Sequence, residues 1–125
     1  MKPLLPLLAS LLALAAGGEA SAHAQLVRAD PRVGAVLSAP PARIWLKFNE
    51  VVRLPASGVM LISPGGGSAV LAPLTHDPAD PRAIIAPAPK DLGPGAYQVK
   101  WRALSPDGHR TQGDFTFTVG GPGKR

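Results

Sequence analysis

Between Arg43 and Val119 the chain alternates apolar and polar residues with a period of two, in short runs cut apart by Gly and Pro. Ile44, Leu46 and Phe48 alternate with Arg43, Trp45 and Lys47. Tyr97, Val99 and Trp101 alternate with Gln98, Lys100 and Arg102, and Phe115, Phe117 and Val119 with Thr116 and Thr118. Such a period sends successive side chains to opposite faces, so each run predicts a strand with one buried face. The last two runs are expected to pair as antiparallel neighbours. Residues 59–62, Val-Met-Leu-Ile, are apolar throughout and predict a strand covered on both sides, which would put Met60 in the core; residues 83–86 are a shorter candidate of the same kind. No stretch carries the spacing of an amphipathic helix. Turn sequences fall between the runs, at Asp30-Pro31, Pro40-Pro41, Pro64-Gly65-Gly66-Gly67, Asp80-Pro81 and Gly93-Pro94-Gly95. About seven short strands in roughly 100 residues predict an all-β, antiparallel sandwich or Greek-key barrel. Residues 65–67 lack the Lys-Ser or Lys-Thr and the helix of a phosphate-binding loop, so they read as a plain loop.

The first 22 residues follow a different rule. Lys2, an apolar run over about residues 4–16, and small residues at Ala20 and Ala22 form the pattern of a secretory signal peptide. The run contains Pro6 and is shorter than the roughly 20 residues that a spanning helix needs, so a permanent anchor is the weaker reading. Cleavage after Ala22 leaves a chain of 103 residues beginning at His23. Cleavage after Ala20 is the competing site and would place His23 third. Residues 23–120 are expected to form one domain, with residues 121–125, Gly-Pro-Gly-Lys-Arg, as a flexible tail.

Composition narrows the chemistry. The sequence has no Cys, so an exported domain must be held by apolar burial, and thiolate metal sites and cysteine catalysis are excluded. The net charge of +5 survives cleavage, because Lys2 and Glu19 leave together. Its basic residues are scattered singly, many at the polar positions of strands, which describes a solvated surface rather than a nucleic-acid or lipid footprint. Three His, six Asp and one Glu remain after residue 22. If His23 is the first residue, its α-amine and imidazole Nδ1 can close a six-membered chelate ring on one ion. Asp107-Gly108-His109 places a carboxylate and an imidazole two residues apart, on one face of an extended segment. Ser105-Pro106-Asp107-Gly108 is equally a competent turn, so Asp107 alone is either a ligand or a turn residue. A planar set of nitrogen and oxygen donors suits Cu(II), whereas Zn(II) prefers a tetrahedron and Ca(II) more oxygens. His76, in Thr75-His76-Asp77-Pro78, reads as an exposed loop residue without a partner.

With these residues in hand the chain resembles the CopC family of periplasmic copper-resistance proteins. The resemblance is carried by His23-Ala24, by Leu46-Lys47-Phe48-Asn49-Glu50-Val51-Val52, and by the run from Tyr97 to His109 containing Trp101-Arg102 and Ser105-Pro106-Asp107-Gly108-His109, followed by Gly113 and Phe115. It implies a cupredoxin-like (Ig-like) antiparallel β-barrel that binds one Cu(II) ion through the amine and imidazole of His23, Asp107 and His109. It implies Glu50 near the copper, as a contact just outside the ligands or as a weak ligand; read from the residues alone, Glu50 is equally a strand-end residue facing solvent. It further implies a monomeric binding protein of the periplasm that sequesters copper or delivers it to a CopD-like importer in the inner membrane. Some relatives carry a methionine-rich Cu(I) loop; residues 63–76 here contain no Met, so a Cu(II)-only protein is expected. Two alternatives stand beside this reading: a copper oxygenase of the lytic polysaccharide monooxygenase type, which also uses an N-terminal His, and a metal-free exported interaction module.

Overall fold

The computed structural model describes residues 24–120 as nine strands in two sheets. The strands are β1 (Leu26–Asp30), β2 (Val36–Leu37), β3 (Arg43–Phe48), β4 (Gly58–Ile62), β5 (Ser68–Val70), β6 (Thr75–Asp77), β7 (Asp80–Pro87), β8 (Gly95–Leu104) and β9 (Arg110–Val119). One sheet has the order β1-β3-β7-β6 and the other β2-β9-β8-β4-β5. All pairings are antiparallel except β2 with β9. Helical structure is limited, among the described residues, to a single 3₁₀ turn at Leu54–Ala56, and no helix there is long and apolar enough to cross a membrane.

The two long alternating runs became β8 and β9, paired over ten residues from Gly95↔Val119 to Leu104↔Arg110. Their inward residues Tyr97, Val99, Phe115 and Phe117 meet Ile44, Leu46 and Phe48 from β3. The apolar run of residues 59–62 behaves differently from its prediction. Val59 and Leu61 are buried, while Met60 and Ile62 are half-buried on the outer face, where Met60 lies between Lys100 and Val70. The strand is therefore covered on one side and Met60 is not a core residue. The turn foreseen at Asp80-Pro81 is also displaced: both residues open β7, and the reversal falls at Pro78 and Ala79. Four further strands, β1, β2, β5 and β6, are short or irregular and carry little period-two signal; β1 even slips register between Leu26 and Arg28.

Two side-chain devices fix the inner faces. The Trp101 indole lies over Gly113 across the β8–β9 ladder and meets Phe48 edge-on, with ring centroids 5.2 Å apart. The Tyr97 ring stacks on Phe117, and its hydroxyl donates to the Gly93 carbonyl (2.8 Å), pinning the loop that enters β8. On the outer face of the other sheet Trp45 Nε1 donates to Asp77 (2.8 Å), and Lys47 pairs with Asp80 (3.0 Å).

The chain crosses from one sheet to the other after β3, and this crossing shapes one end of the sandwich. Residues 49–57 run past the turn between β8 and β9. There the Arg53 N–H donates to the Leu104 carbonyl (2.8 Å), and Ser57 Oγ accepts the Leu104 N–H (3.1 Å) while donating to the Arg53 carbonyl. Val52, nearly fully buried, plugs the end of the core. Three segments thus meet at this end: the start of β1, the β3–β4 crossing and the β8–β9 turn.

A Cβ at Gly113 would sit 2.6 Å from the Trp101 ring, which Phe48 prevents from swinging away. Gly113→Ala is expected to destabilise the domain by about 1–3 kcal/mol, the usual penalty of overpacking. Urea unfolding followed by Trp fluorescence measures it.

Candidate metal centre

The β8–β9 turn is organised by a buried serine. Ser105 is fully buried at the end of β8. Its N–H donates to the His109 carbonyl (2.9 Å), its carbonyl accepts the Gly108 N–H (3.0 Å), and its hydroxyl oxygen accepts the His109 N–H (3.2 Å). The same hydroxyl donates to Asp107 Oδ1. Gly108 has φ +93°, a left-handed conformation that disfavours any side chain, and this lets the backbone close between Asp107 and His109. The local sequence therefore folds as a turn because one buried hydroxyl and one glycine satisfy it internally.

This closure brings the two candidate ligands together. His109 Nδ1 lies 3.1 Å from Asp107 Oδ1, and both side chains are more than half exposed. The Ser105 hydroxyl first, and the imidazole second, hold the Asp107 carboxyl down at about 2, well below its ordinary 3.8. Asp107 is thus a stable carboxylate at any physiological pH. Two donors about 3 Å apart are what adjacent corners of a coordination sphere require when metal–ligand bonds are about 2.0–2.2 Å. In this structure the contact is an ion pair or hydrogen bond, and the two groups are close enough to serve one ion once the imidazole nitrogen gives up its proton. Among the described residues no three His, Asp or Glu side chains gather closely enough to hold a metal, so a complete site needs donors from elsewhere.

The remaining sequence candidates divide. His23 lies outside the described residues. Its neighbour Ala24 is fully buried and belongs to the core cluster. The Ala24 carbonyl accepts a hydrogen bond from Thr111 Oγ1 (2.8 Å), and Thr111 stands two residues from His109. Gln25 is held by Asn49, at the end of the neighbouring strand β3: its carbonyl accepts the Asn49 N–H (3.0 Å) and its N–H donates to Asn49 Oδ1 (2.8 Å). Glu50 is half-buried in the bend that follows Asn49, and it does not complete a three-residue cluster with Asp107 and His109. His76 is not an exposed loop residue. It sits in β6 opposite Ile84, half-buried, with Nε2 3.1 Å from the Val52 carbonyl, because the chain reverses after it and returns as β7.

Sequence reasoning did not single out Ser105, Asn49 or Thr111 as functional. Thr111 carried a signal, since it continues the inward row of Gly113, Phe115 and Phe117 with a polar residue. Asn49 carried one too, as an amide where the alternation of β3 stops.

The chain is similar to known proteins over most of its described length. The model of the CopC domain matches residues 26–120. Protein YobA of Escherichia coli K12 is 36% identical over 98 residues, covering 78% of this chain and 79% of its own. Copper resistance protein C of Escherichia coli is 32% identical over 110 residues, covering 80% of this chain and 83% of its own. Among solved structures, CopC from Methylosinus trichosporium OB3b superposes with a TM-score of 0.71 at 30% identity, over 82% of this chain and 99% of that one. With the two-sheet, cupredoxin-like sandwich and the matched residues spanning nearly all of it, the chain belongs to the CopC family.

Proposed function

We propose that this protein is exported, cleaved after Ala22, and binds one Cu(II) ion in the periplasm through the α-amine and imidazole of His23, the Asp107 carboxylate and the His109 imidazole. Membership of the family makes its function copper-related and not enzymatic, so the oxygenase and metal-free alternatives fall away. The observation that carries the finer reading is the convergence at one end of the sandwich. The Asp107–His109 pair is set 3.1 Å apart on a closed turn, and the hydroxyl of Thr111, two residues further along, holds Ala24, the residue next to His23. Residue 23 is one peptide unit, about 3.8 Å between Cα atoms, from that anchor.

The donor chemistry favours Cu(II) over Cu(I). Nitrogen and carboxylate donors suit the divalent ion, whereas Cu(I) selects thioethers. Met60, on the outer face of β4, is the single methionine among the described residues and stands alone as a soft donor. We place Glu50 beside the site as a contact outside the ligands. The ion is cargo: the protein, acting as a monomer, sequesters it or passes it to an importer in the inner membrane. Residues 1–22 as a signal peptide, residues 23–120 as the binding domain and residues 121–125 as a tail complete the proposal.

Intact mass of the exported protein should give a start at His23, and electron paramagnetic resonance with one equivalent of Cu(II) should give a single tetragonal, nitrogen-rich signal. A different start or a heterogeneous signal would sink the proposal. His23→Ala is expected to weaken Cu(II) binding in a competition titration far more than Glu50→Gln, because it removes an arm of a chelate ring. One extra residue before His23 should do nearly the same damage by displacing the amine.

The pH dependence of binding follows from the groups that must lose protons. Affinity should fall as pH drops through the α-amine range of about 7.7–8.0. Asp107, held at about 2, stays ionised and should add no slope above about pH 4. Because its folded value is depressed, the stability Asp107 contributes is present above its ordinary range and lost as pH falls toward 2. Ser105→Ala removes the main cause, so the Asp107 pKa should rise toward 3.8 in an NMR titration of the metal-free protein.

A further inference from the structure

The segment that leads back to residue 23 is fastened more firmly than the start of a chain ordinarily is. First residues of a domain fray unless something ties them down. Here Ala24 is fully buried in the core, its carbonyl bonded to Thr111 Oγ1 at 2.8 Å, and Gln25 makes two hydrogen bonds to Asn49. The two fasteners come from different sheets: Asn49 follows β3, and Thr111 belongs to β9.

Each does something that its neighbours in the sequence cannot. Leu26 pairs with Phe48, so Gln25 faces Asn49 as the next step of the β1–β3 ladder. Asn49 gives its backbone N–H to that step but supplies the acceptor from its side chain. The side-chain oxygen stands in for a backbone carbonyl, and the main chain is released to bend away at Glu50. Thr111 occupies an inward position in the row that continues with Gly113, Phe115 and Phe117, where an apolar residue would serve packing alone. Its hydroxyl instead crosses between the sheets to a backbone carbonyl. His109 stands two positions before Thr111, in the turn that enters β9.

We propose that Asn49 and Thr111 are positioning residues for the metal site: they fix the point from which residue 23 reaches the ion, and so raise Cu(II) affinity without touching the metal. This rests on the reading of His23 as a ligand. The physical cause is preorganisation. A chelating residue on a frayed segment must be ordered when the ion binds, and that ordering subtracts from affinity, whereas a segment already clamped carries no such penalty.

The test is a set of double-mutant cycles on mature chains beginning at residue 23. Thr111→Val keeps shape and removes the hydroxyl, Thr111→Ser keeps the hydroxyl, and Asn49→Ala removes the acceptor at an exposed position. Each is made with His23 and with His23→Ala, and Cu(II) affinity is read by competition with a chromophoric chelator. Amide hydrogen exchange of Gln25 in the metal-free protein is read alongside it. Thr111→Val and Asn49→Ala are each expected to weaken binding by about tenfold with His23 present and by less than twofold without it. Gln25 should exchange faster in both, and Thr111→Ser should restore affinity. Equal losses in the two backgrounds would show a general structural effect and overturn the proposal. So would unchanged affinity of both variants in a protein whose binding depends on His23. Should Thr111→Val not fold, Asn49→Ala alone decides. Equal affinity of the parent and His23→Ala would overturn the His23 reading itself, and this inference with it.

Discussion

Burial of alternate side chains between the two sheets is the interaction on which every other feature depends. No Cys is present, so nothing covalent braces the domain. Ile44, Leu46 and Phe48 from one sheet and Tyr97, Val99 and Phe117 from the other lie in one buried apolar cluster. Each fully buried side chain of this size is worth about 1.5–3 kcal/mol relative to exposure, and the conformational entropy of the chain opposes the sum. A domain this small has little to spare, which explains why Trp101 packs directly on the bare backbone of Gly113 rather than beside it.

Where the sheets end, the chain must cross between them, and its backbone polar groups lose their ladder partners. Buried N–H and C=O groups have to be paired. At the end of the sandwich that carries Asp107 and His109, side chains complete the pairing: Ser57 serves Leu104, Asn49 serves Gln25, Thr111 serves Ala24 and Ser105 serves the turn. One of these side chains, Ser105, also holds the candidate ligands Asp107 and His109. Its hydroxyl closes the turn and stabilises the charge on Asp107 at once.

The strongly periodic parts of the fold were legible because burial on one face enforces period two, and β3, β8 and β9 have that face. β2, β5 and β6 were not legible. They are two or three residues long, and partners distant in sequence decide whether they pair. His76 shows the limit well: Thr75-His76-Asp77-Pro78 has loop composition, yet return of the chain as β7 makes it an edge strand against Ile84. Asp107 and His109 were legible as a candidate pair from their two-residue spacing. That the pair closes to 3.1 Å was not, because the closure depends on the burial of Ser105.

The sequence by itself determined the all-β class, the pairing of the two last strands, the absence of disulfides and the identity of the candidate donors. Each follows from local pattern or from the chemistry of residue types, which need no partner to be read. Only the tertiary structure decided that Met60 lies outside the core, that His76 bonds Val52, and that Thr111 and Asn49 grip Ala24 and Gln25 beside the Asp107–His109 turn. Those contacts join residues 24 to 87 positions apart, and strand pairing and the packing of one sheet on the other set them.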